Sequence, residues 1–241
     1  MEKNYIYTFC YKKSKKGKNK MKVRKLEIND KKYPDKLKNI YCPPKQLYVI
    51  GNTEILNDKS IGIIGSRNCS KYGEKVAKEF SYKLSQYNIN IISGLARGID
   101  SFAHIGCVMA KGKTIAVLGS GFNYIYPKEN LWLCKRILEE GGAIISEYEI
   151  DITPNKQNFP ARNRIISGLS DGILVVEAKK RSGTYITIDF ALEQGKDVFI
   201  IPGSIYSQNS EGTNELIKQG AKIITTPEEI IETVGINKNY Y

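Results

Sequence analysis

Histidine is almost missing: the 241-residue chain holds one, His104. Any Ser-His-Asp or histidine–metal scheme would have to run through that single imidazole. His104 sits on the early turn of an expected helix beginning at Ile99, where capping or packing is the expected role. Asp100, in the same turn, is expected to cap its helix or brace the Gly94–Gly98 turn rather than bind metal. The five cysteines (Cys10, Cys42, Cys69, Cys107, Cys134) are odd in number and never in CxxC spacing. That pattern speaks against a disulfide framework and a zinc site, and it fits a reducing cytoplasm. A signal-peptide pattern and long apolar runs are also lacking, so a soluble, cytoplasmic chain without a membrane partner is expected. No G-x-G-x-x-G follows the first strong strand, which removes the dinucleotide fingerprint.

Acidic residues are scarce at one end only. Residues 1–38 hold 14 Lys/Arg against 4 Asp/Glu, whereas the whole chain has 37 against 25 and a formal net charge of +12. Most of the basic excess is therefore a property of the first residues. Residues 1–25 read as a basic, disordered tail, 26–58 as a short lead-in with an edge strand at Gln46–Ile50, 59–235 as the main domain, and 236–241 as a C-terminal tail.

From Ser60 onward, short Ile/Val runs alternate with amphipathic stretches. Strands are expected at Ile61–Ile64, Ile89–Ser93, Thr114–Leu118, Ala143–Ser146, Gly172–Glu177, Asp197–Ile201 and Lys222–Thr225. Helices are expected between them, among them Lys71–Tyr87, Ile99–Ala110, Ala161–Leu169 and Thr184–Gln194. Apolar strands alternating with helices specify an α/β domain, a mostly parallel, Rossmann-like sheet with helices on both faces.

Ligands of such sheets bind beyond the carboxyl ends of the strands. Those ends carry small residues here: Gly65-Ser66-Arg67, Ser93–Gly98, Gly119-Ser120-Gly121, Ser182-Gly183-Thr184 and Pro202-Gly203-Ser204. The first turn reads as an anion cradle, with backbone N–H groups and a helix dipole behind the Arg67 fork. A second stretch, Lys156–Arg164, puts three cations around Phe159. Cations neutralise phosphates and a ring stacks on bases, but a core-plugging Phe159 and arginines paired with Glu147 or Glu177 explain the same residues. The 16 tyrosines are too dispersed to mark a stacking platform. By helical spacing, Trp132 with Leu131, Leu133, Ile137 and Leu138 forms core or a dimer surface.

The same stretches, GSRNCSKYG, ISGLARGIDSFAH, GKTIAVLGSGFNYIYPKEN, ISEY, FPARNRIISGLSDGILVVEA, KRSGTYIT and PGSI…GTNELIKQGAK, resemble in order the DNA-processing protein A (DprA/Smf) family. The resemblance implies an extended Rossmann-like domain that binds single-stranded DNA, dimerises, protects incoming DNA and loads the recombinase RecA in natural transformation and recombination. It implies phosphate contacts at Arg67 and Lys156, a base stacked on Phe159, and donors at Gly65 and Ser66. Arg97, Arg162 and Arg164 fall in matching motifs as further contacts or supports. No cofactor or metal is implied. Segments like the helix-hairpin-helix and winged-helix appendages of longer members are not evident.

The competing expectation is an enzyme acting on a nucleotide derivative. Phosphoribohydrolases of related fold carry P-G-G-x-G-T-x-x-E with a catalytic glutamate. The corresponding stretch, Lys180–Thr187, keeps the Gly-Thr pair but places Thr187 where the carboxylate would stand, and a neutral hydroxyl cannot take its role.

Overall fold

The computed structural model describes residues 22–235. Of the two tails assigned above from sequence, residues 1–21 and 236–241 lie outside the described residues.

Among the described residues nine strands form one sheet in the order β1-β2-β6-β5-β4-β3-β7-β8-β9. They are β1 (Arg24–Glu27), β2 (Gln46–Gly51), β3 (Ser60–Ile64), β4 (Asn90–Ser93), β5 (Thr114–Leu118), β6 (Ala143–Ser146), β7 (Gly172–Val175), β8 (Asp197–Ile200) and β9 (Lys222–Ile223). Pairing from β6 to β9 is parallel throughout, and β1 and β2 add an antiparallel flank through Val49↔Ile145. The seven strands expected from sequence are present within a few residues. Two details of the lead-in differ. The sheet already begins at Arg24, inside the stretch expected as tail, and β2 is an inner strand because β1 covers its edge.

Among the described residues eight α-helices alternate with these strands: α1 (Asp35–Lys38), α2 (Lys71–Gln86), α3 (Ile99–Met109), α4 (Leu131–Glu139), α5 (Asn158–Leu169), α6 (Thr184–Glu193), α7 (Glu211–Lys218) and α8 (Pro227–Thr233). Each central strand is buried on both faces, as continuous apolar runs require. Alternate side chains feed opposite layers. Ile63 and Leu174 pack with Phe80 and Ala103 of α2 and α3, whereas Ile64 and Val175 pack with Ile165 of α5 and Ile188 of α6. On α4, Leu133, Ile137 and Leu138 are buried while Trp132 stands exposed.

The chain moves from β3 outward through β4, β5 and β6, then returns over the sheet by α5 to lay β7 on the other side of β3. The order therefore reverses between β3 and β7, and the turns that leave these two strands diverge over a crevice.

Candidate nucleic-acid interface

A cleft of about 380 Å³ lies at that reversal. Its lining comes from the turn after β3 (Gly65 to Asn68), the start of α5 (Phe159, Arg162, Asn163) and the loop from β7 into α6 (Lys179, Ser182 to Thr184, Thr187). The Arg67 guanidinium carbon stands 5.8 Å from the centre of the Phe159 ring. Two residues 92 positions apart in sequence thus face one opening, one carrying a fixed positive charge and the other a partly exposed ring.

The helix α5 starts two residues before Pro160, not after it as the sequence suggested, so Phe159 rides its first turn. Proline is tolerated there because the N–H it lacks would have no helical acceptor anyway. Upstream, Asn155 folds the chain back, its Oδ1 accepting the Gln157 amide at 3.1 Å and its carbonyl the Asn158 amide at 3.0 Å. Beneath the ring lies Gly119, where an added Cβ would approach the Phe159 edge to 3.0 Å. Tyr126 supplies a second ring, 5.9 Å from that of Phe159 at an interplanar angle of 57°, and it is half exposed. In the sequence Tyr126 is one of 16 dispersed tyrosines and does not stand out as a stacking residue. The available signal was its position just after the Gly119–Gly121 turn, on the same rim.

Helix α2 does not contribute its N-terminus to the cradle. The protein fills that site itself. Ser70 caps the helix, its Oγ accepting from the Gly73 amide at 3.1 Å. The buried Glu177 carboxylate accepts the Ser70 amide at 2.9 Å and also the Ser70 hydroxyl. An internal carboxylate thus already complements the dipole. The Ser66 amide is taken as well, donating to the Glu177 carbonyl at 2.8 Å. Glu177 is therefore a helix-terminus acceptor rather than the arginine partner expected from sequence. What the first turn offers an anion is the Arg67 side chain, with Ser66 beside it.

The remaining sequence candidates separate by position. Lys156 is exposed on the turn before α5, outside the cleft lining. Arg97 is exposed and forms a two-pronged ion pair with Glu129, its Nη2 donating at 3.1 Å. Arg164 pairs with Glu147 at 2.6 and 2.9 Å and donates to the Cys42 carbonyl, which anchors the lead-in to α5. Arg162 is buried, 4% exposed, and its Nη1 donates to the carbonyls of Gly94 (2.6 Å) and Val117 at the ends of β4 and β5. Gly94 is required there because any Cβ would overlap the guanidinium. Asp100, also buried, accepts the Gly94 amide at 3.0 Å and so braces that turn. Burial pushes the Asp100 carboxyl up, against the pull of Arg162. Burial also brings Arg162 down to about 10, with the Arg67 charge acting in the same direction. Two guanidinium groups that repel one another across a cleft favour an anion between them.

His104 is core. It is fully buried, its Nδ1 lies 2.7 Å from Thr114 Oγ1, and the Thr114 hydroxyl is already donating to the Ile91 carbonyl at 2.6 Å. The imidazole must therefore donate through Nδ1, and burial pushes its pKa down to about 3. A neutral donor inside the sheet–helix layer has a structural role.

Among known proteins, the family model described as DNA recombination-mediator protein A matches residues 24–235. Protein Smf of Escherichia coli (strain K12) is 47% identical over 202 residues, covering 84% of this chain, and the chain spans only 54% of that relative's length. The solved structure of DNA processing protein A from Streptococcus pneumoniae superimposes with a TM-score of 0.83 at 42% identity, over 90% of this chain and 76% of that one. DNA processing protein A from Helicobacter pylori, whose structure is described for its single-stranded DNA binding mode, superimposes with a TM-score of 0.80 at 31% identity, over 89% and 96%.

Proposed function

The chain belongs to the DNA recombination-mediator protein A family, and from that premise we propose that it binds single-stranded DNA through Arg67, Lys156 and Phe159. The observation that carries this reading is the placement of Arg67 opposite Phe159 at the sheet's topological reversal. A guanidinium grips a phosphate by charge and two parallel donors. A ring beside it receives an unpaired base, and because every base has a π-face such binding is tolerant of sequence. Lys156 adds a point charge upstream of the ring, Arg97 adds another when it exchanges Glu129 for phosphate, and Arg162 and Arg164 support α5 from below. Gly65 and Ser66 shape the turn that presents Arg67.

In this reading the protein acts in the cytoplasm as a homodimer, protects incoming single strands and delivers them to the recombinase RecA, in transformation and recombination. It binds without cutting. Among the described residues that line the cleft the one carboxylate is Asp100, and it is engaged with the Gly94 turn. Thr187 stands where a nucleotide hydrolase would need its acid.

The test compares wild type with Arg67→Glu and Arg67→Ala in oligo-dT binding at two salt concentrations. Arg67→Ala is expected to weaken binding and to reduce the log–log salt slope by about 0.7, the share of one phosphate contact on a single strand. Unchanged affinity in Arg67→Glu would remove the site. Release of free base from nucleoside monophosphates would instead support the hydrolase.

A further inference from the structure

Two helix N-termini converge on the reversal between β3 and β7, and they differ. That of α2 is closed by Glu177 and Ser70. That of α6 is open: among the described residues no backbone acceptor receives the amides of Gly183 or Thr184, while the neighbouring amides of Ser182 and Tyr185 donate to the Lys179 and Ser182 carbonyls. A second observation is independent of helix geometry. Thr187, one turn into α6, is 97% buried by its 3% exposure, lines the cleft, and has no hydrogen-bond partner for its hydroxyl among the described residues. The Ser182 hydroxyl in the same lining is likewise without a partner. A buried hydroxyl left unpaired, as that of Ser182 is, costs about 1–3 kcal/mol, and an acceptor entering the cleft would remove that cost. Lys179, exposed on the same rim, supplies positive charge.

We propose that the α6 end of the cleft, formed by the Gly183 and Thr184 amides, the Ser182 and Thr187 hydroxyls and Lys179, is a second phosphate subsite that holds a neighbouring phosphodiester of the strand gripped at Arg67. Amides at a helix N-terminus and short hydroxyls are donors suited to a phosphate oxygen. The subsite adds direction to what Arg67 and Phe159 do by charge and stacking: with two phosphates held at fixed places, the strand crosses the β3–β7 crevice in one path. The inference rests on the single-strand reading proposed above.

The experiment follows the amide resonances of Gly183 and Thr184 in full-length ¹⁵N-labelled protein during titration with oligo-dT and, separately, with thymidine 5′-monophosphate. Both resonances are expected to shift with oligo-dT, and Thr187→Val, which keeps shape but removes the hydroxyl, is expected to weaken oligo-dT about fivefold, the equivalent of one neutral hydrogen bond. Oligo-dT binding with the two amides unmoved and Thr187→Val at wild-type affinity would overturn the subsite while leaving the single-strand reading intact. Shifts with the monophosphate but not with oligo-dT would overturn it too, in favour of a free-nucleotide site. Absence of any oligo-dT binding would remove the reading and the subsite together. Gly183→Pro provides a control on the amide itself, since residue 183 has φ −60° and open space at the Cβ position. It should reproduce the loss seen with Thr187→Val, and wild-type affinity in this folded variant would count against the subsite.

Discussion

Arg162 reaches through the base of the cleft to the Gly94 carbonyl at 2.6 Å, so the helix that carries Phe159 is tied to the end of the strand that precedes Asp100. The bond sets where the ring stands relative to Arg67, and it makes one of the conspicuous arginines of the Arg162-Asn163-Arg164 motif a support.

Removing that support should lower the stability of the fold. Arg162→Met leaves the two buried carbonyls of Gly94 and Val117 without their donor and removes the positive charge that favours the ionised Asp100, and each buried acceptor left unsatisfied costs about 1–3 kcal/mol. Urea unfolding should show the loss, and Arg162→Met combined with Asp100→Asn should recover part of it. Equal midpoints for the two variants would contradict the coupling.

Phe159→Ala should weaken oligo-dT by about 1–3 kcal/mol if a base stacks on the ring, with little change in salt slope because no charge is lost. Tyr126→Ala should give a smaller loss and Tyr126→Phe none, since the contact is made by the ring. Quenching of a 2-aminopurine placed in the oligonucleotide reports the stack directly.

Arg164→Ala should lower stability by about 1.5–3 kcal/mol, the range of hydrogen bonds to charged groups, and leave oligo-dT affinity unchanged. Its fork is occupied by Glu147 and Cys42, away from the cleft lining. A binding loss larger than that of Arg67→Ala would reassign the contact.

His104 gives the fold a pH dependence of predictable sign. Its pKa falls from 6.5 to about 3 on burial, so the unfolded chain takes up a proton that the folded chain refuses. The stability it contributes is complete above pH 6.5 and is lost as pH falls towards 3. Between pH 7.5 and 5 the loss amounts to about 2 kcal/mol. Because the chain has one histidine, His104→Gln should flatten that part of the curve. An unchanged slope in the variant would place the titration elsewhere.

Much of this was legible in the residues. The alternation of Ile/Val runs with amphipathic stretches named the layers, since a strand covered on both faces can hold few polar side chains. The seven main strands fell where expected because Gly and polar turns bound them sharply. The lead-in was less legible: Arg24–Glu27 is charged and exposed along most of its length, and only pairing with β2 makes it a strand. The start of α5 was displaced for a similar reason, since Pro160 reads as a breaker until its place in the first turn is known.

By itself the sequence determined the sheet-and-helix class, the rim on which chemistry would sit, and Arg67 as a residue to examine, while Phe159 joined it through the family resemblance. Tertiary structure decided which donors are free. Glu177 and Ser70 are far apart in the chain, and only the parallel pairing of β3 with β7 brings the carboxylate onto the α2 terminus and closes it. The same pairing leaves the α6 terminus open beside Thr187. Charge and ring type are local properties of a residue; whether an amide or a guanidinium is already satisfied depends on what the fold packs against it.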